Sequence, residues 1–108
     1  MLLFLLRVIV MLTLIRLKAY LKIDYDDEDD DLTELLDSSV AVIASSTGVD
    51  VFRIINGGNT DLKALYILIQ KKVCKRLYDE QSVSGSILAG LYLKLATLYK
   101  KAIKDGEI

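Results

Sequence analysis

Apolar residues recur at the spacing of a single helix face in three separate segments of this chain. The 108 residues contain no proline, so nothing in the sequence forces a break in these helices. A period near 3.6 residues predicts an all-α domain in which each helix buries one face. The apolar positions are Leu32, Leu35, Leu36, Val40, Ile43 and, as a further candidate, Ala44 in the first segment, Leu62, Leu65, Tyr66, Ile69, Val73 and Leu77 in the second, and Ile87 or Leu88, Leu91, Leu95, Leu98 and Ala102 in the third.

Capping residues predict where the three helices begin and end. The first begins within Asp27 to Asp31, because Asp31-Leu32-Thr33-Glu34 has capping-box spacing, and a glycine ends it at Thr47-Gly48. The other two helices are predicted over residues 61–79, capped by Asp61, and over residues 86–104. We expect the tail, residues 105–108, to fray.

Two further segments complete the predicted architecture. The β-branched run VDVFRII, residues 49–55, and the following Asn56-Gly57-Gly58-Asn59 predict a short extended segment and a turn. A helix upstream of residue 23 brings the total to about four helices, with the extended segment between the second and third. A chain of this length forms one domain, residues 1–108.

The first 15 residues are almost entirely apolar. They are too few to span a bilayer as a helix, Arg7 interrupts them, and no small-residue cleavage site follows. Arg7, Lys18 and Lys22 fall near one stripe, which predicts an amphipathic helix that packs against protein or lies on a membrane surface. Residues 1–10 form an apolar N-terminal extension.

Composition excludes several classes of function. With no histidine, the chain has no histidine general base and no histidine metal ligand. Cys74 is the single cysteine, so no internal disulfide forms, and its mid-helix position favours an inert packing role. The acidic run does not match a calcium loop, because Asp29 replaces the required glycine and Leu35 the bidentate glutamate.

Charge is distributed unevenly along the chain. Residues 24–37 hold nine acids and no base, whereas residues 61–104 hold nine bases and three acids. This pattern favours self-association, with helix capping and solvated helix faces as the simpler alternative. Contact of the bases with nucleic acid is a further alternative, although no aromatic residues are interleaved with them for base stacking. The candidate charged inter-subunit or channel residues are Asp26, Asp27, Glu28, Asp29, Asp30, Lys71, Lys72, Lys75 and Arg76.

Two phrases in the sequence resemble one family. Residues 14–30, LIRLKAYLKIDYDDEDD, followed by Leu32, Leu35-Leu36, Ala41 and Thr47-Gly48, resemble the opening of the small head-tail connector (adaptor) proteins of long-tailed bacteriophages and prophages. Residues 61–80, ending in Tyr78-Asp79-Glu80, look like that family's later helix. The resemblance covers about residues 12–104 and does not include residues 1–10.

The resemblance implies a structural virion protein rather than an enzyme, with no cofactor or metal. Copies of such a protein form a ring, commonly twelvefold, below the phage portal protein. The ring extends the channel through which DNA passes without sequence-specific binding, and it carries a stopper or tail-completion protein. The implied location is the neck of the virion, with the host cytoplasm before assembly, and no membrane contact is expected.

The last predicted helix combines two tyrosines with two lysines, a combination that is common at protein interfaces. The candidate portal or subunit interface is therefore Tyr92, Tyr99, Lys100 and Lys101. The alternative function is a peripheral membrane protein that uses residues 1–22.

Overall fold

Residues 13–79 and 85–108 are described by a computed structural model of the chain, in which they form five helices and no strand. This confirms the all-α prediction for these residues. The predicted extension, residues 1–10, and residues 80–84, between the last two predicted helices, lie outside the described ranges. The helices are α1 (Leu14–Leu21), α2 (Asp29–Thr47), α3 (Val51–Asn56), α4 (Thr60–Tyr78) and α5 (Gly85–Lys104).

Helix α4 runs through the middle of the fold and contacts each of the other four described helices. Its buried residues Leu62, Tyr66, Ile69 and Val73 repeat every three or four positions, as predicted, and so form a continuous stripe. The main core is built on this stripe from α2, α3 and α5, chiefly by Ile43, Val51, Ile54, Leu88, Leu95, Tyr99 and Ala102.

Helix α2 lies antiparallel to α4. Gln70 Nε2 donates to Ser39 Oγ at 3.1 Å, and Cys74 Sγ donates to the Leu35 carbonyl at 3.7 Å, so residue numbers fall along α2 as they rise along α4. Both Ser39 and Gln70 are buried, and Gln70 Oε1 has no hydrogen-bond partner. This buried polar pair fixes the register of the two helices, because sliding either helix would leave further polar atoms unpaired.

Two predicted N-caps are wrong. Asn59, not Asp61, caps α4, and its Oδ1 accepts from the Leu62 amide at 2.9 Å. Helix α2 begins before Asp31, so Asp31 lies in its first turn and cannot form the predicted capping box with Glu34. Glu28 occupies the N-cap position without a side-chain cap bond. Acids in the first turn of α2 instead favour the helix through its dipole.

Residues 51–56 form the short helix α3 rather than the predicted extended segment. Asp50 has extended backbone, with φ −90° and ψ 111°, and its Oδ1 accepts from the Phe52 amide at 2.9 Å. This N-cap starts a helical turn that buries Val51 and Ile54 in the core. Burial of these two residues therefore outweighs the strand preference of the β-branched run.

The C-terminal tail docks on the fold instead of fraying. After α5, Gly106 has φ 73°, and the Glu107 amide donates to the Ala102 carbonyl at 2.8 Å, which is a Schellman ending. This turn directs Ile108 against Gly57, where a larger residue would collide with it. The Gly58 amide also donates to the Glu107 carbonyl at 3.4 Å, so the tail closes on the turn before α4.

Two predicted core positions, Ala44 and Leu77, are exposed. Of the alternatives Ile87 and Leu88, Leu88 is buried and Ile87 is 55% exposed. Leu77 is 43% exposed because it lines an open groove at the end of α4 instead of the closed core.

A second apolar cluster fastens α1 to α2 and α4. It consists of Leu17, Ile23, Leu32, Leu36 and Cys74. Between Leu17 and Ile23, Lys22 takes the left-handed conformation with φ 61°, and the Ile23 amide donates to the Lys18 carbonyl at 2.9 Å. This reversal puts Ile23 back onto the cluster.

Replacing Lys22 with glycine should stabilise the protein, because glycine adopts positive φ without the steric cost that lysine bears. We expect Lys22→Gly to raise the free energy of unfolding by about 1 kcal/mol in urea titrations. Ala19→Gly, on the exposed side of α1, is the matched control and should lower it by about 1 kcal/mol. Equal destabilisation by both changes would contradict this account of Lys22.

Candidate functional site

The turn between α1 and α2 and the first three residues of α2, together residues 22–31, contain most of the acidic run and are called here the acidic corner. Lys18 Nζ donates to Asp26 Oδ1 at 2.7 Å and to Asp29 Oδ1 at 2.8 Å. The Lys18 side chain is only 14% exposed, because it lies between these carboxylates. Pairing with Asp26 and Asp29 raises the pKa of Lys18, and the ammonium lowers the pKa of Asp26. Two of the acids therefore hold α1 against the start of α2.

A third acid connects the corner to α4. Glu28 Oε2 accepts from the hydroxyl of Tyr25 at 2.8 Å and from that of Tyr78 at 3.0 Å. The neighbouring carboxylate raises the pKa of Tyr25, since it favours the protonated phenol. Tyr78 is 50 residues away in the sequence, at the last residue of α4. The two phrases that carry the family resemblance thus contact each other directly.

The remaining acids of the corner are exposed, including Asp27 and Asp30 from the predicted set. In residues 13–79 and 85–108, no group of three acidic or cysteine side chains converges in a way that could hold a metal ion. None of the helices in these ranges is long and apolar enough to cross a membrane.

The basic residues of α4 are half-buried rather than displayed on an open face. Lys71 Nζ lies 5.8 Å and Lys75 Nζ 5.5 Å from the centroid of the Tyr20 ring, within cation–π range. Helix α1 therefore covers part of the stripe formed by Lys71, Lys72, Lys75 and Arg76. The acidic corner and this stripe lie near the same end of the molecule, so the fold brings together charges that are far apart in the sequence.

Cys74 is fully buried between α2 and α4. Burial raises the pKa of its thiol to about 11, so the group is protonated at neutral pH. It packs as a small apolar side chain in the cluster that holds α1.

The four candidate interface residues of α5 do not form one exposed surface. Tyr99 is only 8% exposed, and its hydroxyl accepts from the Asp50 amide at 3.3 Å. It lies one turn after the buried Leu95 and therefore faces the core. Tyr92 is half-buried, whereas Lys100 and Lys101 are exposed. The candidate surface is corrected to Tyr92, Lys100 and Lys101.

Tyr92 borders a groove of about 620 Å³ between α2, α4 and α5. Its apolar walls carry one basic side chain, Arg76, and no carboxylate among the described lining residues. They are formed by Val42, Val73, Arg76, Leu77, Gly85, Leu88 and Tyr92.

Sequence reasoning missed the residues that organise the corner, namely Lys18, Tyr25 and Tyr78. The bonds of Lys18 span eight and 11 positions across a helix end, so no helical spacing rule predicts them. The sequence does place a lysine shortly before a run of acids. This arrangement indicates that the lysine pairs with an acid, but it does not indicate which acid is the partner.

No protein-family model, curated protein or solved structure matches this chain. The fold and the acidic corner therefore define only a structural class. The chain is a small all-α protein in which charged side chains join three helices.

The Lys18 contacts predict a specific pH dependence of stability. Because folding lowers the pKa of Asp26, its contribution is present above the unfolded value and is lost as pH falls through the folded value. Because folding raises the pKa of Lys18, its contribution is lost only as pH rises through that higher value. Lys18→Met keeps the apolar stem and removes the charge.

We expect Lys18→Met to lower the free energy of unfolding most between about pH 5 and pH 10, with the difference from wild type shrinking in acid. Urea titrations across this range measure the effect. Lys94→Met, at an exposed position on α5, is the control and should follow the wild-type profile. If Lys18→Met and wild type differ by the same amount at pH 3 and pH 7, the pairing is not significant for stability.

Proposed function

We propose that this chain is a ring-forming structural subunit of the neck that joins the head and tail of a long-tailed bacteriophage. In this proposal copies assemble below the portal protein, commonly as a twelvefold ring. The ring extends the DNA channel and carries a stopper or tail-completion protein. The proposal rests first on the resemblance of residues 14–36 and 61–80 to head-tail connector proteins.

The observation that carries the proposal furthest is the contact between the two resembling phrases. Tyr25 and Tyr78 donate to the same oxygen of Glu28, and Lys18 fastens Asp26 and Asp29 a few residues away. The residues that match the family are therefore those that set how α1, α2 and α4 meet. The resemblance concerns one structural unit rather than two unrelated runs of leucine, lysine and aspartate.

The apolar surface also supports an assembling subunit. Ile15 is 81% exposed, Leu93 70% and Ile87 55%, on the outer sides of α1 and α5. Scattered exposed apolar residues are common on monomers, but these three would become favourable contacts where neighbouring subunits cover them. A ring of head-to-tail contacts would provide that cover. Tyr92, Lys100 and Lys101 remain the candidate contact with the portal or with a neighbouring copy.

Mixing the full chain with a portal complex tests the proposal. Native mass spectrometry should find portal particles that have gained many copies of the chain, and negative-stain images should show an added ring below the portal. A chain that stays monomeric at every concentration and leaves the portal unchanged contradicts the proposal.

The membrane alternative makes a different prediction. If the proposed function is right, the full chain should remain in the supernatant when vesicles containing anionic lipid are sedimented. Binding to these vesicles that disappears in a chain beginning at Met11 would instead support a peripheral membrane protein. A chain beginning at Met11 that sediments as much as the full chain would mean that residues 1–10 do not act as the anchor.

A further inference from the structure

The outer faces of α2 and α5 have opposite charge. Helix α2 contains five acids and no base, and α5 contains four lysines and no acid. Both helices pack on α4 through their apolar sides, so their charged sides point away from the shared core. One subunit therefore presents an acidic helix face in one direction and a basic helix face in another.

The outer face of α5 combines an apolar residue with basic ones. Leu93 is 70% exposed, and Lys100 and Lys104 lie two and three turns further along the same side. Gly90, one turn before Leu93, has open space where a side chain would be. Another helix can therefore approach this face closely around Leu93.

The outer face of α2 is complementary in charge and shape. Asp30 and Glu34 are exposed in its N-terminal half, and Ala41 and Ser45 are exposed in its C-terminal half. Small side chains provide a shallow seat for a leucine, and the acids lie beyond it towards the helix start.

The spacing of the two faces matches in the antiparallel direction. Leu93 and Lys100 are seven residues apart on α5, and Ala41 and Glu34 are seven residues apart on α2. The next pair on each helix is also equally spaced, because Lys104 follows Lys100 by four residues and Asp30 precedes Glu34 by four. At a rise of about 1.5 Å per residue, Leu93 on Ala41 brings Lys100 beside Glu34 and Lys104 beside Asp30. The parallel arrangement would carry both lysines away from the acids. Antiparallel packing also sets the C-terminus of one helix dipole beside the N-terminus of the other.

We propose that the outer face of α5 packs antiparallel on the outer face of α2 of a second copy of this chain. The inference rests on the proposed ring and names its contact surfaces. Each copy offers one face of each kind, so the contact is heterologous, and a series of copies closes into a ring or continues as a filament. The basic partner of the acidic helix is then α5, not the half-buried stripe of α4.

Charge exchange between Glu34 and Lys100 tests the contact. In sedimentation velocity at low salt, Glu34→Lys and Lys100→Glu should each weaken self-association about tenfold, because each creates a like-charge pair. The double variant, with both changes in one chain, should recover most of the wild-type association. Arg53→Glu, an exposed reversal on α3, is the control and should associate as wild type does. Circular dichroism melting checks that all four variants are folded.

Cysteine cross-linking tests the register independently. A chain carrying both Ala41→Cys and Leu93→Cys should give a ladder of multimers with a short bifunctional maleimide, whereas each single variant has only one thiol at the contact and should stay monomeric. The native Cys74 thiol is buried and does not compete. Absence of a ladder, or a double charge variant no better than the single ones, overturns the proposed contact.

The outcomes separate this inference from the ring itself. If wild type assembles on a portal while Glu34→Lys and Lys100→Glu assemble equally well, the contact is wrong and the ring stands. If the charge exchange behaves as expected but no portal binds, the contact stands and the proposed function fails. A wild-type chain that is monomeric, together with a double-cysteine variant that gives no cross-linked ladder, overturns the contact.

Discussion

Burial of one face of α4 is the constraint on which the rest of the structure depends. Tyr66 and Ile69 are at most 1% exposed, and α1, α2, α3 and α5 all contact this helix. Because no other described helix contacts all the rest so extensively, α4 sets the directions in which α2 and α5 point outward. The proposed docking faces are thus a consequence of the core: one stripe of apolar residues on α4 forces the acidic and basic helix faces towards different neighbours.

Electrostatics acts at two levels in this molecule. Within the subunit, Lys18 and Glu28 bring acids, tyrosines and three helices into one corner, where distances of 2.7–3.0 Å indicate specific bonds. At the surface, Asp30 and Glu34 of α2 and the four lysines of α5 stay exposed. Some of the charged residues therefore stabilise the fold, and the others are available to contact a partner.

Periodicity predicted the parts of the fold that depend on repeated apolar burial. Helices α4 and α5 and the glycine end of α2 agree with the sequence because Leu62, Tyr66, Ile69 and Gly48 act through local spacing and backbone conformation. Helix α3 was missed because its Asp50 cap and the burial of Ile54 override a β-branched run. Local patterns did not predict three other features, because each depends on residues that are distant in the sequence or lie across a chain reversal. These features are the docking of Ile108, the inward position of Tyr99 and the hydrogen bonds of Lys18. For function, the sequence offered only a resemblance, and the function drawn from it stays a prediction.

A cryo-EM map of the neck assembled from a portal complex and this chain tests the central claim most directly. The account predicts a closed ring of copies around the channel, in which α5 of each copy packs against α2 of the next. A map in which the chain is absent, or bound as isolated copies that do not touch one another, would contradict it.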